Sequence, residues 1–294
     1  MIRMDLSDEL RENVKYDYPD YHMYISRGRL SQYPNYSAVS HWHDDIELIL
    51  TLSGRMLFNV NGEITTIEEG EGILVNSKQF HYGFADNYAD CDFICILFHP
   101  LLICITKMFE REYVKPLLGS GISHFHLSPR MPWQKKILEC IREIYFSKDE
   151  QTTPLFAQSM LCSLWNELLK NVDLGEESRK EADSKLSILK DMVSFIHEHY
   201  SEKITLADIA AAGHVSKRAC GNIFLRYQHK TPIEVLTEYR LRSSIELMKH
   251  TDMTILEIGL SVGFSGASYY AETFRKYFGK SPGEYRKMLR EEKS

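Results

Sequence analysis

The sequence lacks any long apolar run. Its most apolar stretch, Phe93 to Phe109, is interrupted by His99, Pro100 and Lys107, and is too short and broken to span a bilayer. A strand ending near Phe98, followed by a helix, explains it better. The opening residues MIRMDLSDELRENVKYDYP are polar and acidic, with no apolar core to serve as a signal peptide, so a cytoplasmic protein without a membrane partner is expected. Cysteine is sparse and unpatterned: six residues (Cys91, Cys95, Cys104, Cys140, Cys162, Cys220), with no CxxC and no dense framework. That excludes a disulfide-stapled scaffold and reads as reduced, buried thiols. Cys91 and Cys95 share a face of one strand but are too far apart for an intrastrand disulfide, which argues against redox sensing.

What is present is ordinary for a globular protein. Hydrophobic residues make up 44% and charged residues 26%, so neither a disordered nor a collagenous chain is in view. The 294 residues suffice for two domains, each with its own core. Charge divides unevenly. From Lys190 onward there are 16 Lys+Arg against 13 Asp+Glu, a net of +3; the preceding part holds 19 against 28, a net of −9. An acidic front and a mildly basic back suit a sensor joined to a module that binds a polyanion.

From about Tyr21 to Phe98 the pattern is short strands and turns. Asp45 to Leu52 leads into Ser53-Gly54, and Met56 to Ile67 reads as two strands around Asn61-Gly62, a strong hairpin signal. Glu69-Gly70-Glu71-Gly72 is a further turn before the strand Ile73–Val75. Such spacing predicts an antiparallel sandwich or barrel. From Pro100 to about Lys170 the period turns helical. Trp133, Ile137, Ile141, Ile144 and Tyr145 form one apolar stripe; Leu155, Phe156, Met160, Leu161, Leu164, Trp165, Leu168 and Leu169 form another. These stripes must cover the barrel or meet a second copy. Asn171 to Ser184 is polar and charged, and reads as a linker.

The remainder, from Leu186, is helical and contains a repeat. Thr205-Leu206, Ile209-Ala210 and Ser216 recur 49 residues later as Thr254-Ile255, Ile258-Gly259 and Ser265. One residue is then gained. Phe224, Tyr227, Lys230 and Thr231-Pro232 recur 50 residues later as Phe274, Tyr277, Lys280 and Ser281-Pro282.

Each copy has the features of a helix-turn-helix. A short amphipathic helix (Leu206–Ala212; Ile255–Val262) carries a small residue, Ala210 or Gly259, where the next helix must approach closely. A tight turn follows, and Ser216 and Ser265 are expected to cap the second helix. Thr231-Pro232 and Ser281-Pro282 each start another helix, with proline in its first turn. Pro232–Lys249 reads as one helix joining the two units. A rigid connector would let two reading helices enter successive major grooves, roughly 34 Å apart, on one side of double-stranded DNA. Lys217, Arg218 and Arg226 flank the first reading helix, and Arg275, Lys276 and Lys280 the second. Without the duplication, an all-helical protein-binding domain would explain such a pattern equally well.

Ile204–Lys287 resembles the DNA-binding domain of the AraC/XylS family of bacterial regulators. The carrier is Val262-Gly-Phe-Ser265…Tyr269-Tyr-Ala-Glu-Thr-Phe274-Arg-Lys-Tyr-Phe-Gly-Lys-Ser-Pro282-Gly-Glu-Tyr-Arg286. The resemblance implies base contacts from the first turns of the two reading helices: Lys217, Arg218, Gly221 and Asn222, then Ala267, Ser268, Tyr269, Ala271 and Glu272. Ser216, Arg226, Ser265, Arg275 and Lys276 complete the expected interface. Members commonly carry a basic residue where Asn222 and Glu272 stand, and leucine where Cys220 stands. Glu272 would repel phosphate but could accept a hydrogen bond from cytosine N4.

In the front part, His41-Trp-His43-Asp-Asp-Ile-Glu47, then six residues to Gly54, matches the first half of the cupin metal motif. Gly70 and His81 keep the spacing of the second half, but Asn76 and Lys78 replace its usual proline and glycine. On a strand His41, His43 and Glu47 share one face, and His81 from a facing strand would complete three nitrogens and a carboxylate suited to Zn, Fe or Mn. The four could hold a metal, could hydrogen-bond a polar effector, or could be structural. Trp42 and Tyr82 would suit stacking on a sugar. His124-Phe-His126 repeats the spacing with no carboxylate nearby in sequence. This part is similar to the sugar-binding, cupin-type amino-terminal domains of the same family, and Trp133–Phe146 and Pro154–Lys170 to the helices through which sugar-responsive members dimerise.

The expected fold is therefore α+β. A cupin-like antiparallel β-barrel (about 20–98) with helices (about 100–170) makes a unit over 1–170. A linker over 171–185 leads to an all-α domain over 186–294, with two helix-turn-helix units joined by a long helix. The expected function is a sequence-specific transcriptional regulator, not an enzyme. It would respond to a small polar effector, a sugar, in the barrel, and act as a homodimer that meets RNA polymerase. A divalent metal is the one candidate cofactor. The alternative is a metal-binding cupin, either a metal-responsive regulator or an enzyme with an accessory DNA-binding domain.

Overall fold

Strands form where short apolar or alternating runs are bounded by turns. The computed structural model describes residues 6, 10–18, 20–174 and 179–291, and the chain divides into two units, Met1–Lys185 and Leu186–Ser294. The first unit contains β1 (Met23–Arg29), β2 (Ile46–Ser53), β3 (Met56–Val60), β4 (Glu63–Ile67), β5 (Gly72–Val75), β6 (His81–Phe84), β7 (Asp92–Phe98) and β8 (His124–Leu127). They build a five-stranded sheet, β1-β7-β2-β5-β8, and a three-stranded sheet, β4-β3-β6, with antiparallel pairing throughout. Asn61 (φ 51°) and Gly62 (φ 89°) make the expected hairpin turn, both in the left-handed region that such a turn demands.

Side-chain parity then sorts the residues into two cores. Ile46, Leu48 and Leu50 of β2 and Ile94, Ile96 and Phe98 of β7 point outward from the larger sheet. There they meet Ile137, Ile141 and Ile144 of α3 (Pro132–Phe146) and Leu161, Leu164, Trp165 and Leu168 of α4 (Thr153–Asn171). The opposite parity, Ile49, Ile73, Val75 and Phe93, packs between the sheets against Met56, Phe58 and Val60. Much of both helical stripes thus packs on the sheet, while Leu155 at the start of α4 stays exposed.

Between β7 and α3 the chain makes α1 (Lys107–Phe109), a π-helical turn (Glu110–Val114), α2 (Lys115–Leu118) and then β8. The strand corrects an expectation. The region after Pro100 is not helical throughout, and the β-structure extends to Leu127, because the edge of β5 accepts the four-residue segment His124–Leu127 as a partner.

The second unit is helical: α5 (Arg179–His199), α6 (Leu206–Ala212), α7 (Lys217–Gln228), α8 (Pro232–His250), α9 (Ile255–Ser261), α10 (Ala267–Phe278) and α11 (Pro282–Glu291). Of the expected linker, residues 175–178 lie outside the described residues, and 179–185 form the start of α5. The repeat is visible in the caps. Thr205 with Asp208, and Thr254 with Glu257, are capping boxes 49 residues apart. Thr231 with Glu234, and Ser281 with Glu284, make the same reciprocal bonds 50 residues apart.

The gained residue lies in the second turn. In the first copy Ser216 caps α7, its hydroxyl accepting from the Ala219 N–H. In the second the N-cap is Gly266, with no side-chain bond, and Ser265 stands one residue too early. The expectation that Ser265 caps α10 is therefore corrected. The close approach at Gly259 holds: a Cβ there would lie 2.7 Å from the Tyr270 ring. Tyr270 and Phe274 anchor α10 in a core with Leu241, Ile245, Ile258 and Tyr285.

Candidate functional site

Chemistry-bearing side chains gather in two places: between the sheets of the first unit, and on the outer faces of α7 and α10 in the second. His41 and His43 lie just before β2 rather than on it. His41 forms a β-bridge with His81, the first residue of β6, through backbone bonds of 3.1 and 2.9 Å. Glu47, the second residue of β2, has the same parity as Ile49 and faces inward. All four residues are buried, the most open at 6% exposure, and their ligand atoms lie within 4.8 Å of one another. His81 Nε2 is 2.5 Å and His43 Nε2 3.6 Å from Glu47 Oε2.

The backbone orients each ring. His41 Nδ1 is 2.9 Å from the Val39 carbonyl, His43 Nδ1 3.1 Å from that of Asp45, and His81 Nδ1 2.9 Å from that of Gln79. Burial tends to raise the Glu47 carboxyl, but the His81 charge and the contacts of His43 and His81 outweigh it and hold the group well below the usual carboxylate range. Burial, with the neighbouring His81 and His43, pushes His41 well below the usual imidazole value. His43 rises despite its burial, because Glu47 faces it.

The cluster forms part of the wall of a cavity of about 90 Å³. His41, Glu47, His81 and Tyr82 line it, as do Glu12, Tyr24, Tyr33, Phe58 and Cys95. Trp42, expected in the same site, is not among the lining residues. Its neighbours His41 and His43 take the inner side, and its ring instead lies under the Arg11 guanidinium, 5.7 Å from the ring centre. The sequence does not single out Glu12, Tyr24 or Tyr33, and offers Cys95 only as a thiol on the same strand face as Cys91. Alternation on β1 carries the missed signal: Met23 and Ile25 join the outer core, leaving Tyr24 and Ser26 to face the cavity. The second HxH is not without a carboxylate, for β5–β8 pairing brings His126 Nε2 to 3.1 Å from Glu71 Oε2.

On α7 the expected residues Ser216, Lys217, Arg218, Asn222 and Arg226 are exposed, with Gly221 half-buried beneath them. On and before α10 the exposed set is Ser265, Ala267, Ser268, Tyr269, Glu272, Arg275 and Lys276, with Ala271 half-buried. The faces opposite them carry the packing: Cys220, Ile223, Phe224 and Tyr227 on α7, Tyr270 and Phe274 on α10. α8 ties the copies together. The Glu238 carboxylate lies 2.5 Å from Lys230 Nζ and accepts a 2.9 Å hydrogen bond from Arg242, which also reaches the Tyr277 hydroxyl at 3.4 Å. Arg240 donates to the Tyr200 and Glu202 carbonyls, each at 2.7 Å.

Among the described residues no helix is long and apolar enough to cross a membrane. Residues 25–165 match the family described as AraC-like ligand binding domain, and residues 209–288 match a helix-turn-helix domain family. The chain is 32% identical over 252 residues to the uncharacterized HTH-type transcriptional regulator YdeC of Bacillus subtilis, covering 84% of this chain and 86% of that one. It is 24% identical over 267 residues to the melibiose operon regulatory protein of Escherichia coli, covering 87% and 85%. Among solved structures, an apo ToxT variant of Vibrio cholerae aligns over 92% of this chain and 98% of its own, at 13% identity and a TM-score of 0.46.

Proposed function

The chain belongs to the AraC family of DNA-binding transcriptional regulators, and we propose that it reads a bipartite duplex site with α7 and α10 under the control of a small polar effector held between the sheets of its amino-terminal unit. Its relatives are regulators, not enzymes. The observation that carries the reading is the repeated unit itself: two capped helix pairs, each turning polar and basic side chains outward, on one connecting helix. The 19 residues of α8 span about 28 Å, on the order of one turn of duplex.

In this reading Lys217, Arg218, Arg226, Arg275 and Lys276 contact phosphates. Ser216, Asn222, Ser265, Ser268, Tyr269 and Glu272 meet base edges or the adjoining backbone. Gly221, Ala267 and Ala271 keep the helix surface low enough for close approach. Asn222 suits adenine and Glu272 the amino group of cytosine. The active form is a homodimer that meets RNA polymerase at a promoter.

For the effector we carry forward a sugar. The melibiose operon relative supports that class, and Tyr24, Tyr33 and Tyr82 offer stacking surfaces beside polar groups. At about 90 Å³ the cavity is smaller than the ~150 Å³ that accommodates benzene, so a sugar ring requires its walls to move apart. Footprinting of the full chain on promoter fragments, with and without candidate sugars, tests the reading. The expected result is two protected segments about 10 base pairs apart, sensitive to one sugar, with Glu272→Ala erasing preference at one base pair. Equal affinity for promoter and random DNA at moderate salt sinks the DNA reading. Uniformly tighter binding by Glu272→Ala sinks that residue's role.

A further inference from the structure

We infer that Glu238 is a positioning residue: its carboxylate, clustered with Lys230, Arg242 and Tyr277, holds the two reading helices at one separation and so sets the half-site spacing that the chain accepts. The inference rests on the reading of α7 and α10 as the two DNA probes. It starts from a difference between the repeated units. Lys230 and Glu238 stand eight residues apart, and their counterparts 50 residues on are Lys280 and Met288. The spacing is kept but the carboxylate is not, and Lys280 Nζ lies 3.3 Å from the Met288 thioether instead.

Each oxygen of Glu238 has its own cation. Oε2 lies 2.5 Å from Nζ of Lys230, in the turn where α7 ends and α8 begins. Oε1 accepts from Arg242 Nη2 at 2.9 Å and Nε at 3.3 Å, one turn further along α8. Arg242 Nη2 also reaches the hydroxyl of Tyr277, near the end of α10, at 3.4 Å. Burial, then the Glu238 charge and a hydrogen bond to that carboxylate, push the Tyr277 phenol up, so the ring is held by acid and base alike. The Glu238 side chain is only 13% exposed, which shields these bonds from water. One carboxylate thus ties the end of α7 to the end of α10.

A second tie lies on the other side of α8. Residues two apart on a helix differ by about 200° in direction, so Arg240 faces away from Glu238 and Arg242. Its guanidinium donates to the Tyr200 and Glu202 carbonyls ahead of α6. The turn of the second unit comes in on the same side: a Cβ on Gly263 would lie 2.5 Å from the Tyr200 carbonyl and 2.9 Å from the Arg240 guanidinium. Held on both sides, the units cannot roll about α8 without breaking one tie. One inserted base pair shifts a half-site by about 3.4 Å and turns it by about 35°, and following it would pull Tyr277 away from Arg242.

The test selects duplexes from a random pool with the full chain, then measures affinity for the selected site and for the same site with one base pair inserted between its halves. The unmutated chain should lose about tenfold on insertion, the loss that one mismatched base pair brings, and Glu238→Gln and Tyr277→Phe about threefold or less. Both variants leave every proposed DNA contact in place. Tyr277→Phe removes one hydroxyl and keeps the ring, so it decides the matter where Glu238→Gln does not fold. Glu284→Gln weakens the cap of α11 without touching the cluster, and should keep the full loss. Unrelaxed spacing in either folded cluster variant overturns the assignment, as does the same relaxation in Glu284→Gln. A pool that yields no two-part site for the unmutated chain overturns the DNA reading itself, and this inference with it.

Discussion

Gly221 sits within α7, and nothing lies within 4 Å of the place a Cβ would occupy. Glycine inside a helix gives up about 0.5–1 kcal/mol relative to alanine, so Gly221→Ala should stabilise the chain by that amount, read as a higher urea midpoint of the carboxy-terminal transition. A lower midpoint would show a constraint that the open space does not reveal. The variant also adds a methyl group beside Asn222, so a loss of DNA affinity with a gain in stability would separate close approach from folding. Legibility at this scale follows locality. His41, His43 and Glu47 could be grouped from spacing because parity puts them on one side. Glu12, Tyr24 and Tyr33 reach the same cavity only through strand pairing and a chain reversal, which no local spacing records. Trp42 misled because a ring next to two inward histidines must face the other way.

At the scale of elements, the join between the two reading units depends on Glu238. Burial tends to raise its carboxyl, but Arg242 and Lys230 bring it down from 4.5 to about 2. A depressed carboxyl contributes stability above its unfolded value and loses it as pH falls through the folded one. The wild type should therefore weaken between about pH 4.5 and pH 2, and Glu238→Gln should lack that part of the decline. At neutral pH the variant should cost about 2 kcal/mol, measured by urea unfolding; a cost near zero would mean solvent already screens the cluster. The hairpin and the Ser216 cap were readable here because Asn61-Gly62 and Ser216 act over a few residues. β8 was not, since four residues become a strand only when β5 offers an edge. The start of α10 slipped by one because the residue gained in the repeat falls inside the turn, where Ser265 and Gly266 both look like caps.

Across the whole molecule, charge decides how DNA is held. The net charge is −6, so in the proposed reading attraction to phosphate comes from the local basic residues of α7 and α10. Binding should weaken steeply with salt. Lys217→Ala should lower affinity evenly for all sequences and reduce the slope of log K against log salt by about 1; an unchanged slope would remove Lys217 from the phosphate contacts. The two-part organisation was legible from periodicity and charge, whereas the length of the linker was not, because the polar residues 179–185 belong to a helix.

β2 has a consequence for how occupancy of the cavity is felt. It is buried on both sides, with Glu47 in the cavity wall and Ile46 and Leu48 under the helical layer. Adjacent residues share a peptide plane, so a ligand that draws Glu47 inward tugs on Ile46 and Leu48, which share a core with Ile137 of α3. The strand works as a lever with one arm in the chamber and the other beneath the roof, and the roof should register, as altered amide exchange, whether the chamber is full.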